Sequence, residues 1–222
     1  MFFSDEKTFV VDPVFNPQND RWIRITDEDE DEDDHDGGGD LNNNNSSGRF
    51  IARSKHPASA MFLGMVASTG EVFPPVWFKT GFRLGAEDYI KVLKNILIPW
   101  MRSVAAAHAS PTGAPSPFIM QQDSTPAHRA AKMLAFLEEE QVDFWTPQQW
   151  PPNSPDLNPL DYSVWSMVSQ EACRNRPKSV AAMKSIVSRK WNELDPVKIR
   201  AVCRRFWPRL ERCVALKGGY FD

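Results

Sequence analysis

Cysteine is scarce in this chain. Three residues in 222, Cys173, Cys203 and Cys213, stand apart with no CxxC pair. That excludes a zinc ribbon and suits a reducing compartment. No run of 18 apolar residues occurs, so the sequence offers no membrane-spanning helix and predicts no membrane partner. The opening "MFFSDEKTF" is too short and too charged to read as a signal peptide. No internal repeat is visible. What is present is a hydrophobic content of 41% with eight tryptophans, enough apolar material for one large or two small globular domains.

A net charge of −3 hides an uneven distribution. Residues 26–48, "TDEDEDEDDHDGGGDLNNNNSSG", hold ten of the 29 acids and one apolar side chain, Leu41. Such a segment cannot offset its ordering entropy by burial and is expected to be a disordered acidic insertion. Outside it, 26 basic residues face 19 acidic ones, a balance of +7. From Glu171 to Asp222 there are 13 Lys/Arg and five Asp/Glu, a local +8 compatible with contacts to a phosphate backbone.

The patterning predicts a mixed α/β chain. Residues 2–11 alternate and are rich in Phe and Val, as a strand requires, and "RWIRI" (21–25) is short and β-like. Segments 60–68 and 71–79 flank Thr-Gly and form a plausible hairpin. Tyr89, Val92, Leu93, Ile96, Leu97 and Trp100 recur at helical spacing within 86–107. A buried strand follows at 117–123, then a helix at 126–140 with proline in its first turn, then a short strand at 142–145. Helices are expected at 159–172 and, from Val180, Met183, Ile186, Val187, Trp191 and Leu194, in the segment after it. A last helix from Pro196 to about Ala215 should end or kink at Pro208.

Three acids stand out by position. Asp5 lies within the first strand, Asp123 ends the buried strand 117–123, and Asp161 opens a helix inside "WPPNSPDLNPLDYSVW" (150–165). With Asn158 as N-cap and Pro159 as N1, Asp161 is N3. Singly each has an ordinary explanation: an exposed strand residue, a turn former, a helix-dipole partner. Together they sit where strand and helix ends can point into one crevice of an α/β sheet. Trp150 and Trp165 read as core, and Asn153 and Asn158 as turn and cap residues.

These segments carry a resemblance. "SDEKTF" followed by "NPQNDR", then "QQDSTPAH", then "WPPNSPDLNPLDYSVW", resemble in order and spread the catalytic half of mariner-superfamily DNA transposases. "RSKHPASAMFLGMVASTGEVFPPVWF" and "WPRLERCVALKGGYFD" also look like that group, so the likeness covers nearly the whole chain apart from the acidic run. It implies that the catalytic triad is Asp5, Asp123 and Asp161. The 37 residues between the second and third match the branch ending in aspartate. Asp156 then takes a plain role: the Ser-Pro-Asp turn hydrogen-bonds backbone and aims the helix. The prolines stiffen the approach to Asp161.

The implied fold is ribonuclease H-like: a mixed five-stranded sheet with helices on both faces, the first three strands antiparallel, and a helical C-terminal layer. The implied chemistry is two-metal phosphoryl transfer, with two Mg²⁺ or Mn²⁺ ions roughly 3.5–4 Å apart on the three carboxylates. It cuts transposon-end DNA and then joins the 3′-hydroxyl to target DNA at TA. A homodimer on DNA and a nuclear location follow from the same resemblance. His128 matches a family histidine that either touches the scissile phosphate or a metal-bound water, or supports the site from behind. Arg21 and Asn158 are further candidates for DNA contact or support.

Two departures accompany the likeness. The acidic run follows "NPQNDR" directly, inside a loop that in the family reaches DNA and the partner subunit. The chain also starts four residues before Asp5, so the helix-turn-helix half that reads transposon ends is expected to be absent. The alternative reading is therefore a truncated or domesticated remnant that only binds DNA non-specifically. A generic ribonuclease H-like nuclease would leave the motif order unexplained.

Overall fold

The computed structural model describes residues 1–11, 58–79, 81–82, 84–109, 113–174 and 177–219. The β-like segment 21–25, Arg21 and the acidic run 26–48 lie outside the described residues. The described part is built on five strands: β1 (Phe2–Val10), β2 (Ser59–Ala67), β3 (Val76–Trp77), β4 (Ile119–Gln121) and β5 (Asp143–Phe144). They lie in the order β3-β2-β1-β4-β5. β1, β2 and β3 run antiparallel, whereas β4 and β5 add in parallel on the other side of β1.

β2 and β3 form the expected hairpin around Gly70, whose φ of 109° favours a residue without Cβ. Pro74 and Pro75 lack the N–H a ladder needs, which holds β3 to two residues. β4 is shorter than 117–123, because the backbone of residues 122–125 leaves the sheet to build the site.

Helices cover both faces. On one face lie α1 (Ala86–Val92), a π-helical turn Leu93–Leu97, α2 (Ile98–Ala107), α3 (Pro126–Arg129) and α4 (Ala131–Glu139). Their apolar sides meet Phe2, Leu63, Met65, Ala67 and Met120. On the other face lie α5 (Trp165–Arg174), α6 (Val180–Asn192), α7 (Pro196–Arg204) and α8 (Phe206–Ala215). They bury Phe3, Phe9, Phe62, Trp165, Trp191 and Phe206 together with aliphatic side chains such as Leu160, Val164 and Val187. Strand alternation divides β1 between these cores, Phe2 on one side and Phe3 and Phe9 on the other. The mixed five-stranded sheet with helices on both faces is the expected architecture.

Two expected helices are each broken once. The helix expected over 126–140 splits at Ala130, whose ψ of 132° is extended. Alanine is the best helix former, so propensity does not cause the break. The break lets α3 turn inward and bury His128, while Met133 and Leu137 of α4 pack in the sheet-facing core. The C-terminal helix breaks at Arg205, before Pro208. Pro208 falls in the first turn of α8, where a missing N–H costs nothing.

Candidate active site

The register of the sheet brings two of the three acids together. Phe2 and Phe3 of β1 pair in parallel with Met120 and Gln121 of β4. Asp5 and Asp123 each lie two residues beyond the last rung of that pairing, Asp5 still within β1 and Asp123 where the backbone has left the sheet. The antiparallel neighbour of Asp5 on β2 is Gly64.

Trp165, the first residue of α5, donates its indole N–H to Asp5 Oδ2 at 2.5 Å. A Cβ on Gly64 would lie 2.5 Å from the Trp165 ring and 2.7 Å from that of Trp191. The glycine thus leaves room for the indole that holds Asp5. Burial, then the charge of Asp161, pushes the Asp5 carboxyl up to about 7, against the pull of the Trp165 hydrogen bond. Glu6 and Asp123 add smaller repulsions.

Asp161 enters from the helix start. Asn158 is 2% exposed, and its Oδ1 accepts the Leu160 N–H at 3.0 Å, the bond expected of a helix cap. Its Nδ2 donates to the Ser4 carbonyl at 3.3 Å. One side chain therefore caps the helix and ties it to β1 beside Asp5. Residues 160–164 form a π-helical turn rather than an ordinary first α turn, a distortion often found at functional sites. Burial raises the Asp161 carboxyl above its ordinary value, with Asp123 and Asp156 adding to the rise and Lys7 opposing it. Lys7 stands two residues beyond Asp5, on the same face of β1.

Asp123 behaves in the opposite sense. Burial acts to raise it, but hydrogen bonds from His128 and Thr125 outweigh burial and bring it below the usual carboxylate value. Its Oδ1 accepts from His128 Nδ1 at 2.7 Å and from the Thr125 N–H at 3.1 Å. His128 is 2% exposed, and its Nε2 lies 3.6 Å from Glu6 Oε1. Burial alone would lower the imidazole. The hydrogen bond to Asp123 and the nearby Glu6 carboxylate win and raise it to about 10, so the ring is a cation at neutral pH. Of the two expectations for His128, this geometry has it supporting Asp123 from behind.

In front of Asp123 and Asp161 is a crevice of about 420 Å³, also lined by Gln121, Arg129, Trp150 and Asn158. Arg129 is exposed at its rim. Asp156 lies on a short 3₁₀ turn, Pro155–Leu157, and its carbonyl accepts Arg209 Nε at 2.6 Å. Its carboxylate stays 4.0 Å from the same guanidinium. The Ser-Pro-Asp turn bonds backbone as expected, with the Leu157 N–H donating to the Ser154 carbonyl at 3.1 Å, and a main-chain tie to α8 is added. Arg209 also lies over the Tyr162 ring at 4.6 Å, and Arg200 donates to the Thr69 carbonyl. Part of the basic C-terminal charge therefore holds the fold together. Trp150 and Trp165 are buried, as expected. The sequence reading passed over Glu6, Lys7, Gly64 and the bond made by Trp165. The "SDEK" string and a glycine opposite it were the only signals available.

No family profile matches the chain. It is 30% identical over 82 residues to the Transposable element Tcb2 transposase of Caenorhabditis briggsae, a match covering 37% of this chain and 25% of that protein. The fold aligns with a pre-cleavage Mos1 transpososome at TM-score 0.72 and 18% identity, over all of this chain and 56% of the other. It aligns with the catalytic domain of Mos1 mariner transposase at TM-score 0.62 and 22% identity, over 74% of this chain and 77% of that one. The chain thus spans a quarter of the curated relative and just over half of the transpososome protein. It has the ribonuclease H-like fold of the mariner catalytic domain, in agreement with the three motifs.

Proposed function

We propose that this chain is a transposase catalytic domain that cuts and rejoins DNA through divalent cations held by Asp5, Asp123 and Asp161. One observation carries the reading. Asp5 on a strand feels the charge of Asp161 at a helix start and, less strongly, that of Asp123 just past a strand end. Like charges held together are costly unless a cation neutralises them. The donors are hard carboxylate oxygens, which suit Mg²⁺ or Mn²⁺. Solved Mos1 complexes contain Mg or Mn and transposon ends, which supports the same chemistry here.

Two such cations would supply Lewis-acid activation of the attacking oxygen and stabilisation of the leaving one. The chain's own residues prepare the site. Trp165 fixes one Asp5 oxygen. Asn158 locks the Asp161 helix to β1. His128 keeps Asp123 ionised. Arg129 at the rim can meet a DNA phosphate without blocking the carboxylates. Cleavage at transposon ends, joining at a TA target, assembly as a homodimer on DNA and a nuclear location belong to this proposal.

The test is cleavage of a nicked, pre-paired DNA substrate with Mg²⁺ or Mn²⁺. Asp161→Ala should abolish cleavage while the fold persists, and Asp156→Ala should retain it. Cation-independent DNA binding with no cleavage by the unaltered chain would favour the DNA-binding remnant instead.

A further inference from the structure

Asp5 and Glu6 are neighbours on β1, and strand alternation sends them to opposite faces of the sheet. Asp5 meets Trp165 on the α5–α8 side. Glu6 meets His128 on the α1–α4 side. Asp123 is the point where the two sides join, because His128 bonds it from below. We propose that Glu6 and His128 form a brace behind the crevice that fixes which Asp123 oxygen faces the cation, so that Glu6 is a positioning residue for the reaction. The inference rests on the reading that Asp123 is a cation ligand.

The geometry supports it at each joint. Asp123 Oδ1 is used up by His128 Nδ1 and the Thr125 N–H, which leaves Oδ2 for the crevice. His128 cannot swing away. The tilted Tyr89 ring lies 4.3 Å from it, centroid to centroid, and Tyr89 is itself buried. Behind the ring, Nε2 and Glu6 Oε1 have no hydrogen-bond partner among the described residues, and they face one another at 3.6 Å. This is an ion-pair distance, longer than a hydrogen bond.

Burying an acid and an imidazole is a poor way to stabilise a core, since apolar side chains of similar volume usually do as well or better. Holding a carboxylate in one orientation is work that a histidine backed by a second acid performs at many metal sites. The same function explains the break at Ala130. A continuous helix over 126–140 would not turn α3 inward to deliver His128 to Asp123.

The experiment is calorimetric titration of the full chain with Mn²⁺ alone, with melting curves confirming that each variant is folded. Glu6→Gln keeps the shape of Glu6 and removes its charge. His128→Asn places an amide near the position of Nδ1, so the donor to Asp123 survives and the link to Glu6 is lost. His128→Ala loses both. Support groups of this kind are worth about 10–100-fold in metal affinity. Glu6→Gln and His128→Asn should each weaken Mn²⁺ binding by about tenfold, and His128→Ala by about a hundredfold.

A role limited to filling space beneath Tyr89 would lower the melting temperatures and leave Mn²⁺ affinity unmoved. Affinities of Glu6→Gln and His128→Asn within twofold of the unaltered chain overturn the brace. Asp161→Asn serves as the control on the underlying reading. If it binds Mn²⁺ as well as the unaltered chain, the triad assignment fails, and the brace with it. If only Asp161→Asn weakens binding, the triad stands and the brace is wrong. Should His128→Ala not fold, the isosteric Glu6→Gln decides.

Discussion

The two faces of β1 handle a buried acid in opposite ways. On the α5–α8 face Asp5 sits against an aromatic wall, with Trp165 and Trp191 stacked 5.4 Å apart, and receives one neutral donor. Its carboxyl is pushed up to about 7. On the α1–α4 face the core is largely aliphatic around Leu63, Met65, Leu93 and Leu97, and it holds a charged imidazole. Through that cation Asp123 is kept below the usual carboxylate value. A neutral donor in an apolar wall leaves an acid reluctant to ionise, whereas a buried cation keeps one ionised. One sheet thereby carries acids of separated proton affinity, a pattern expected of sites that move charge. In the proposed reading Asp123 would offer a ready anion, and Asp5 would give up its proton on binding a cation.

That contrast can be broken most sharply by pH. Without cations, Asp5 keeps a proton in the folded state that it loses in the unfolded chain between about pH 4 and 7. Stability must then fall as pH rises through that window, by something on the order of 4 kcal/mol for Asp5 alone. Asp123 has the opposite sign: its contribution is present above its ordinary value and is lost in acid. His128 is raised from 6.5 to about 10, so its contribution is complete below about 6.5 and is lost as pH climbs through about 10. Melting temperatures in chelator should therefore decline first through the Asp5 window, about pH 4 to 7, and then through the adjoining His128 window up to about pH 10. Asp5→Asn should make the lower decline shallower, leaving the part due to Asp161, whose carboxyl is also raised, and leave the upper one. A decline between pH 4 and 7 undiminished by Asp5→Asn would assign it to other groups.

A cation should reverse the first of these costs. At a hundred times its dissociation constant, Mg²⁺ or Mn²⁺ should add about 2.7 kcal/mol by mass action. A variant with all three aspartates changed to Asn should show no rise in melting temperature. Gly64→Ala attacks the aromatic face directly. Its methyl would collide with two packed indoles, with an expected loss of about 2 kcal/mol and a displaced Trp165. Chemical denaturation measures the loss, and tryptophan fluorescence reports the displacement. The smallest effect is expected for Asp156→Ala, under about 1 kcal/mol, because its half-exposed carboxylate makes only a long contact with Arg209. A larger loss would mean that this carboxylate does more than its carbonyl, which Arg209 already holds.

Several features of the molecule were legible in the sequence because they depend on local chemistry. The alternation of residues 2–11 specified β1, and the Thr-Gly pair specified the hairpin. The Asn-Pro-Leu-Asp order placed Asp161 in a capped first turn, with the Asn158 side chain accepting the Leu160 N–H. Strand ends and helix starts announce themselves through proline, caps and polar residues at fixed offsets, and Asp5, Asp123 and Asp161 all lie at such places or in a patterned strand.

What the tertiary structure alone decided is how those acids are tuned. The sequence of α3 and α4 favours one helix, yet it breaks at Ala130 so that His128 can reach Asp123. Gly64 carries no local signal, and its reason is two tryptophans that arrive 101 and 127 positions later. Glu6 carries no distinguishing sequence signal, and the fold makes it the counter-charge of a buried imidazole. Proton affinity and close approach are set by neighbours distant in the chain. Only the packing of both helical layers on one sheet brings those neighbours within a few ångströms.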